Sequence, residues 1–275
     1  MDETGSQKAK HLVSLGSSAL GSAAGGVLGF LVGGPEGAIG GSVIGSISKE
    51  LLKILGDVGV RALSPREEIR VGTAAYLAIE EIRKRLERGE KPRSDGFFQG
   101  GESSGRSNAK EIFEGVLLKS RGAYEERKIP HVASIFSNAA FSDDIGASEA
   151  NYALQVIEGL TFRQMSFLAV FDVKARSAGP LLADRELDAE NPEPLLQDLS
   201  ALQEIFDLYQ KGLVHLPFVT PHSPFNVQAL LSFDEVIPER MRLTEWGARF
   251  HSLLGLAEFS DEDLQVATTT LSTRR

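Results

Sequence analysis

Within residues 21–45, GSAAGGVLGFLVGGPEGAIGGSVIG, a glycine stands at every fourth position: Gly21, Gly25, Gly29, Gly33, Gly37, Gly41 and Gly45. Residues four apart lie on the same side of an α-helix, so neighbouring members of the series share a face. Each costs a helix about 1 kcal/mol relative to alanine. Such a pattern makes sense where backbones must approach closely, because a face of small residues lets helices pack together. The surroundings are almost free of charge: 24 residues run from Leu12 to Pro35 without one, and 12 more follow Glu36 before Lys49. A secretory leader would need a denser apolar stretch than KAKHLVSLGSSALGSAAGG provides. A flexible linker would lack Val27, Leu28, Phe30, Leu31, Val32, Val43 and Ile44.

Gly33-Gly34-Pro35-Glu36-Gly37 interrupts the pattern with turn chemistry. The segment therefore reads as a helical hairpin, with arms over about 12–33 and 37–55. The first arm is close to the ~20 residues that span a bilayer. In lipid the glycine penalty also falls, since an unbonded backbone has no water to turn to. Residues 1–60 are thus expected to form a membrane-active hairpin whose glycine face serves self-association. The alternative is a soluble, buried hairpin used only for assembly.

Residues 61–93 follow as one amphipathic helix. Ser64 is placed to cap it, Pro65 suits its first turn, and Glu67 completes a capping box. Ile69, Ala74, Leu77, Ile82 and Leu86 supply an apolar side. The far end is basic, with Arg83, Lys84, Arg85, Arg88, Lys91 and Arg93, and suits either anionic headgroups or a solvated helix end. SDGFFQGGESSGRSN, residues 94–108, has linker composition and is the expected domain boundary. It contains Gly101-Glu102-Ser103-Ser104-Gly105, but a nucleophile elbow needs a preceding strand that a linker does not offer.

Residues 109–179 read as a helical bundle. Ile112, Val116, Leu117 and Tyr124 recur at helical spacing, Pro130 opens a helix, and Ser148 and Thr161 are expected N-caps. Phe136, Phe141, Phe162, Phe167 and Phe171 are expected core residues. In residues 180–275 the rhythm changes. A helix ending at Gly212 is followed by a short apolar run, a proline-containing loop, MRLT as a brief strand, and a closing helix over TEWGARFHSLLGL. Helix, strand, wing, strand and helix form a winged-helix-like α+β unit. The expected fold class is therefore mainly α: glycine-rich hairpin, helical bundle and C-terminal winged-helix-like unit.

Charge argues against nucleic acid for that last unit. Of the chain's 38 acidic and 29 basic side chains, residues 180–275 hold 16 and 7, while residues 1–179 balance at 22 each. The candidate reading helix carries Asp198, Glu204 and Asp207 against Lys211. Phosphate neutralisation dominates DNA affinity, so a protein partner is expected. No enzyme chemistry stands out. The five histidines, His11, His131, His215, His222 and His251, lack metal-ligand spacing, the chain has no cysteine, and no glycine-rich stretch ends in a phosphate-binding Gly-Lys-Ser/Thr. No catalytic residue, cofactor or metal is expected.

YEERKIPHVASIFSNAAF, EANYALQVIEGLTFRQMSFLAVF, and the later GLV with LTEWGARFHSLLG resemble bacterial abortive-infection proteins of the Abi-alpha type, over roughly residues 109–256. The resemblance implies a helical module ending in a winged-helix-like unit, at work in antiphage defence, and supplies no active-site residues. The glycine hairpin resembles membrane segments of defence effectors that depolarise the infected cell. The resulting expectation is a homo-oligomeric effector, cytoplasmic when inactive and at the inner membrane when active, triggered by a phage protein. A soluble self-assembling adaptor and a winged-helix transcriptional regulator are the alternatives.

Overall fold

A computed structural model describes residues 54–55, 57–58, 63–99, 106–176, 192–217, 236–238 and 240–271. The expected hairpin, with its seven periodic glycines, lies outside them but for Ile54 and Leu55 at its end, both buried. The described residues are mainly helical, with one two-stranded sheet. They fall into two compact units that divide between Gly159 and Leu160.

The first unit begins with α1 (Pro65–Glu87), whose start is fixed by its own sequence. The Ser64 hydroxyl accepts from the Glu67 amide, Glu67 reaches back to the Ser64 amide at 2.8 Å, and Pro65 occupies the first turn. Val71 to Tyr76 are buried without a break, as are Ala78, Ile79 and Ile82. A helix resting on a surface hides one stripe, whereas burial all round marks a helix inside a core. Ile69, Leu77 and Leu86 of the expected apolar side are only half-buried. Helices α2 (Asn108–Arg121) and α3 (Ile129–Phe141) pack on α1, and a 3-10 turn over Glu126–Lys128 leads into α3.

Helix α4 (Ala147–Gly159) lies against α2 in parallel, stepping about one turn at a time. Asn151 donates to Glu111 at 2.5 Å, Leu154 meets Gly115, and Glu158 pairs with Lys119. A Cβ on Gly115 would stand 2.7 Å from Leu154 Cδ1, so glycine there brings the two helices together. Ser148 is inside the first turn of α4, whose opening bond is made by the Gly146 carbonyl to the Ala150 amide; Ser148 is not the N-cap.

Segment 94–108 is not a boundary between domains, because the helices on both sides belong to the first unit. Phe97 is buried, its carbonyl accepts from the Ala109 amide, and Ser107 caps α2. Gly101 to Gly105 lie outside the described residues.

The second unit is built around α5 (Phe162–Arg176). Its residues from Gln164 to Phe171 are all buried, so α5 has no solvent stripe in that stretch. The sequence grouping placed α5 with the preceding bundle; the packing assigns it to the unit that follows. Thr161 caps it as expected, accepting from the Gln164 amide at 3.1 Å, while Gln164 accepts from the Thr161 amide. Around α5 pack α6 (Pro192–Gln210), β2 (Arg242–Leu243), α7 (Glu245–Leu253), a 3-10 turn over Leu256–Glu258, and α8 (Asp261–Leu271).

Strand β1 (Val214–His215) pairs antiparallel with β2, Val214 opposite Leu243 and His215 opposite Arg242. The expected MRLT strand is therefore present over two residues. Helix α6 ends through Gly212 at φ +70, where the Leu213 amide bonds back to the Leu208 carbonyl and the Gly212 amide to that of Tyr209. Thr244 ties this turn to α7: its hydroxyl donates to the Gly212 carbonyl at 2.6 Å and accepts from the Gly247 amide at 2.8 Å. Gly247 sits so close that a Cβ there would be 1.9 Å from the Leu213 carbonyl oxygen.

Candidate functional site

The glycine face, the site on which the membrane expectation rests, lies outside the described residues. Among the described residues no helix is long and apolar enough to cross a membrane. Also among them, no cluster of histidine and carboxylate side chains is arranged to hold a metal ion.

Two acidic side chains of α6, Glu204 and Asp207, are turned onto α5. Arg163 forks onto Glu204 with both contacts at 2.8 Å and also reaches the Ser200 hydroxyl at 2.6 Å. Its hydrogen bond to Glu204 holds the guanidinium's proton more tightly than usual. Gln164 donates to the Glu204 carbonyl and to the Asp207 carboxylate, and Lys211 pairs with Asp207 one turn on. Glu204 and Asp207, read from sequence as exposed repellers of DNA, are bound to neighbours within their own unit. Composition identified their charge but could not show that Arg163 and Gln164 face them.

The basic end of α1 is largely matched in the same way. Arg83 bonds Glu80 and pairs with Glu87; those contacts, the Glu80 hydrogen bond first, raise its affinity for its proton. Arg85 pairs with Glu81, bonds Asn138, and lies 5.3 Å from the Phe141 ring centroid. Arg88 pairs with Glu81 and Glu90. This end is a network of ion pairs, with Lys84 and Lys91 left exposed.

Arg93 is the residue whose role differs most from its sequence reading. Its side chain is 6% exposed and salt-bridged to Asp95. The guanidinium donates to the carbonyls of Ile145 at 2.6 Å, Ala139 at 3.2 Å and Asp143 at 3.4 Å, and lies 4.6 Å from the Phe97 ring centroid. Its own amide donates to the Ala140 carbonyl. Arg93 thus closes the C-terminal end of α3 and the turn after it, where orphan carbonyls favour a cation.

The start of α1 carries a second charge network. Arg66 and Arg70 both bind Glu126, and Arg121 lies 3.4 Å from Glu67. Hydrogen bonding from Arg70 holds the Glu126 carboxyl below its usual range, and the Ser64 amide does the same for Glu67. The loop between these contacts exposes Tyr124, at 77% the most exposed large hydrophobic side chain among the described residues. Its helical spacing had placed Tyr124 with Ile112, Val116 and Leu117, which are buried; α2 stops at Arg121, before the period reaches it.

His251 is buried in α7 with Nε2 3.9 Å from Asp172 Oδ2 on α5, a core contact between packed helices. His215 stands in β1 and His131 in α3, so the histidines described lie on separate elements. Comparison with protein-family models, with curated proteins and with solved structures finds no match.

Proposed function

We propose that this chain is a membrane-acting defence effector whose glycine-rich N-terminal hairpin self-associates and disrupts the bacterial inner membrane. The C-terminal unit recognises a phage protein as trigger. The observation that carries the reading is the unbroken four-residue glycine period in an almost charge-free stretch long enough for a bilayer-spanning arm. The resemblance of residues 109–256 to Abi-alpha abortive-infection proteins supplies the antiphage setting.

The C-terminal region, in this proposal, is a winged-helix-like sensor. In its favour, α6, β1, β2 and α7 follow one another in the required order, and β1 and β2 pair antiparallel. Glu204 and Asp207 of α6 are engaged with α5, and the excess of acidic residues over 180–275 suits a protein ligand better than phosphate. A multimeric ligand would gather several copies and raise the local concentration of hairpins without new contacts between them.

The test is dye leakage from vesicles of bacterial lipid. Gly25→Leu, on the repeating face, is expected to abolish leakage and toxicity, while Gly26→Leu, off that face, has a milder effect. Equal effects at both positions would overturn the packing face. Full activity in a chain that never fractionates with membranes would favour the soluble adaptor.

A further inference from the structure

We infer that only the first arm of the glycine-rich hairpin crosses the bilayer, and that the second arm stays on the side of the folded first unit. The N-terminus then lies across the membrane from the rest of the chain. This rests on the membrane reading above and adds to it how many times the chain crosses.

The second arm ends in protein. Residues 54–55 and 57–58 are helical; Ile54, Leu55 and Val58 are buried, whereas Asp57 is exposed to water. Their spacing puts the three apolar side chains on one side of a helix. A segment with one side hidden and a carboxylate in water is packed at a protein surface. That combination is foreign to hydrocarbon, where a carboxylate is costly. The last residues of the 37–55 arm are therefore taken up by the fold and do not lengthen a membrane span.

What precedes this anchor is too short. The charge-free part of the second arm, residues 37–48, measures about 18 Å as a helix, against a hydrocarbon core of about 30 Å. Making up the difference would draw Lys49, Glu50 and Lys53 into lipid. An extended chain does not serve instead, because its backbone groups would go unbonded there. The first arm has no such deficit: residues 12–33 carry no charge and measure about 33 Å as a helix. Glu36 keeps the turn between the arms at a water interface. Since the second arm does not reach from one interface to the other, the turn and the folded unit share the same one. Crossing once, the chain leaves Asp2, Glu3, Lys8 and Lys10 beyond the bilayer.

The chain has no cysteine, so a fluorophore can be attached singly to the full-length protein through Ser6→Cys, Pro35→Cys or Asp57→Cys. Each labelled chain is added to phosphatidylethanolamine/phosphatidylglycerol vesicles, which are recovered by flotation. A quenching antibody against the fluorophore is then added outside, a probe too large for lesions that pass a small dye. Positions 35 and 57 are expected to lose nearly all their emission, and position 6 to keep its emission until detergent opens the vesicles.

Protection of position 35 or of position 57 would overturn the single crossing, whatever happens at position 6. So would quenching of all three positions on vesicles that leak, which would put both arms on the outer surface and leave the membrane reading standing. An unlabelled chain that neither floats with these vesicles nor permeabilises them would remove the membrane reading and this one with it.

Discussion

At Gly247 a single hydrogen atom decides whether two segments of the second unit can meet. The Thr244 cap pulls the start of α7 onto the Gly212–Leu213 turn, and only a residue without Cβ leaves room for the Leu213 carbonyl. Gly247→Ala forces backbone against backbone and is expected to cost about 1–3 kcal/mol, as overpacking does. Gly115→Ala should be near neutral. Its Cβ would meet only the far end of Leu154, and alanine's helix preference offsets that displacement. Chemical denaturation of the two variants side by side checks the contrast, and equal losses would refute it. No local glycine spacing marks Gly247, because the pressure on it comes from a carbonyl 34 positions away in sequence.

Among the elements, α1 and α5 show what a sequence reveals of a helix and what it conceals. The boundaries were legible: Ser64, Pro65 and Glu67 announced the start of α1, and Thr161 that of α5, because capping is chemistry between near neighbours. The partners were not. An amphipathic reading of α1 named Ala74 and Ile82, which are buried, together with Ile69, Leu77 and Leu86, which are half-buried, and passed over the enclosed Gly72, Ala75 and Ala78. Small size is weakly hydrophobic and easily read as solvent-tolerant, but it allows close packing on every side. Helix α5 shows no stripe at all over Gln164–Phe171, so nothing in its own pattern says which neighbours it belongs to. The engagement of Glu204, Asp207 and Arg93 was illegible for the same reason: each is satisfied by a group far along the chain.

The charge network at the start of α1 carries a pH prediction. Glu67 and Glu126 both have carboxyls held below their ordinary range, the first chiefly by the Ser64 amide and the second by Arg70. A group whose folded pKa is depressed adds stability that is present above its unfolded pKa, about 4.3 for glutamate. That stability is lost as pH falls through the lower folded value. The cap and the loop carrying Tyr124 are therefore expected to loosen below about pH 4, while remaining indifferent between neutral and mildly alkaline pH. Hydrogen exchange of the amides at 64–70 and 121–128 across an acid series reads this directly. Unchanged protection down through that range would refute it. Because both carboxylates are partly solvated, high salt should soften the effect.

For the whole molecule, the division falls after Gly159, not in the glycine- and serine-rich stretch at 94–108. Composition marks where a chain resembles a linker; packing decides where few contacts cross. A piece containing residues 160–275 is expected to unfold cooperatively by itself and to leave vesicles intact, whereas a break inside 94–99 should unfold the first unit by releasing Phe97 and Arg93. Circular dichroism melts of the two pieces and a vesicle-leakage assay decide this. Leakage caused by residues 160–275 alone would contradict the assignment of membrane action to the N-terminal region.

The corner at Arg93 has a consequence for where this protein can work. Three carbonyl oxygens and a carboxylate converge there on one positive centre, an arrangement that in many proteins is completed by a dissolved ion. Here the positive centre is tethered to the chain, so its supply follows from synthesis and not from the surrounding medium. The turn after α3 is consequently closed by the chain itself, and a chelator has nothing there to remove, whereas a fold closed by a borrowed ion would come apart.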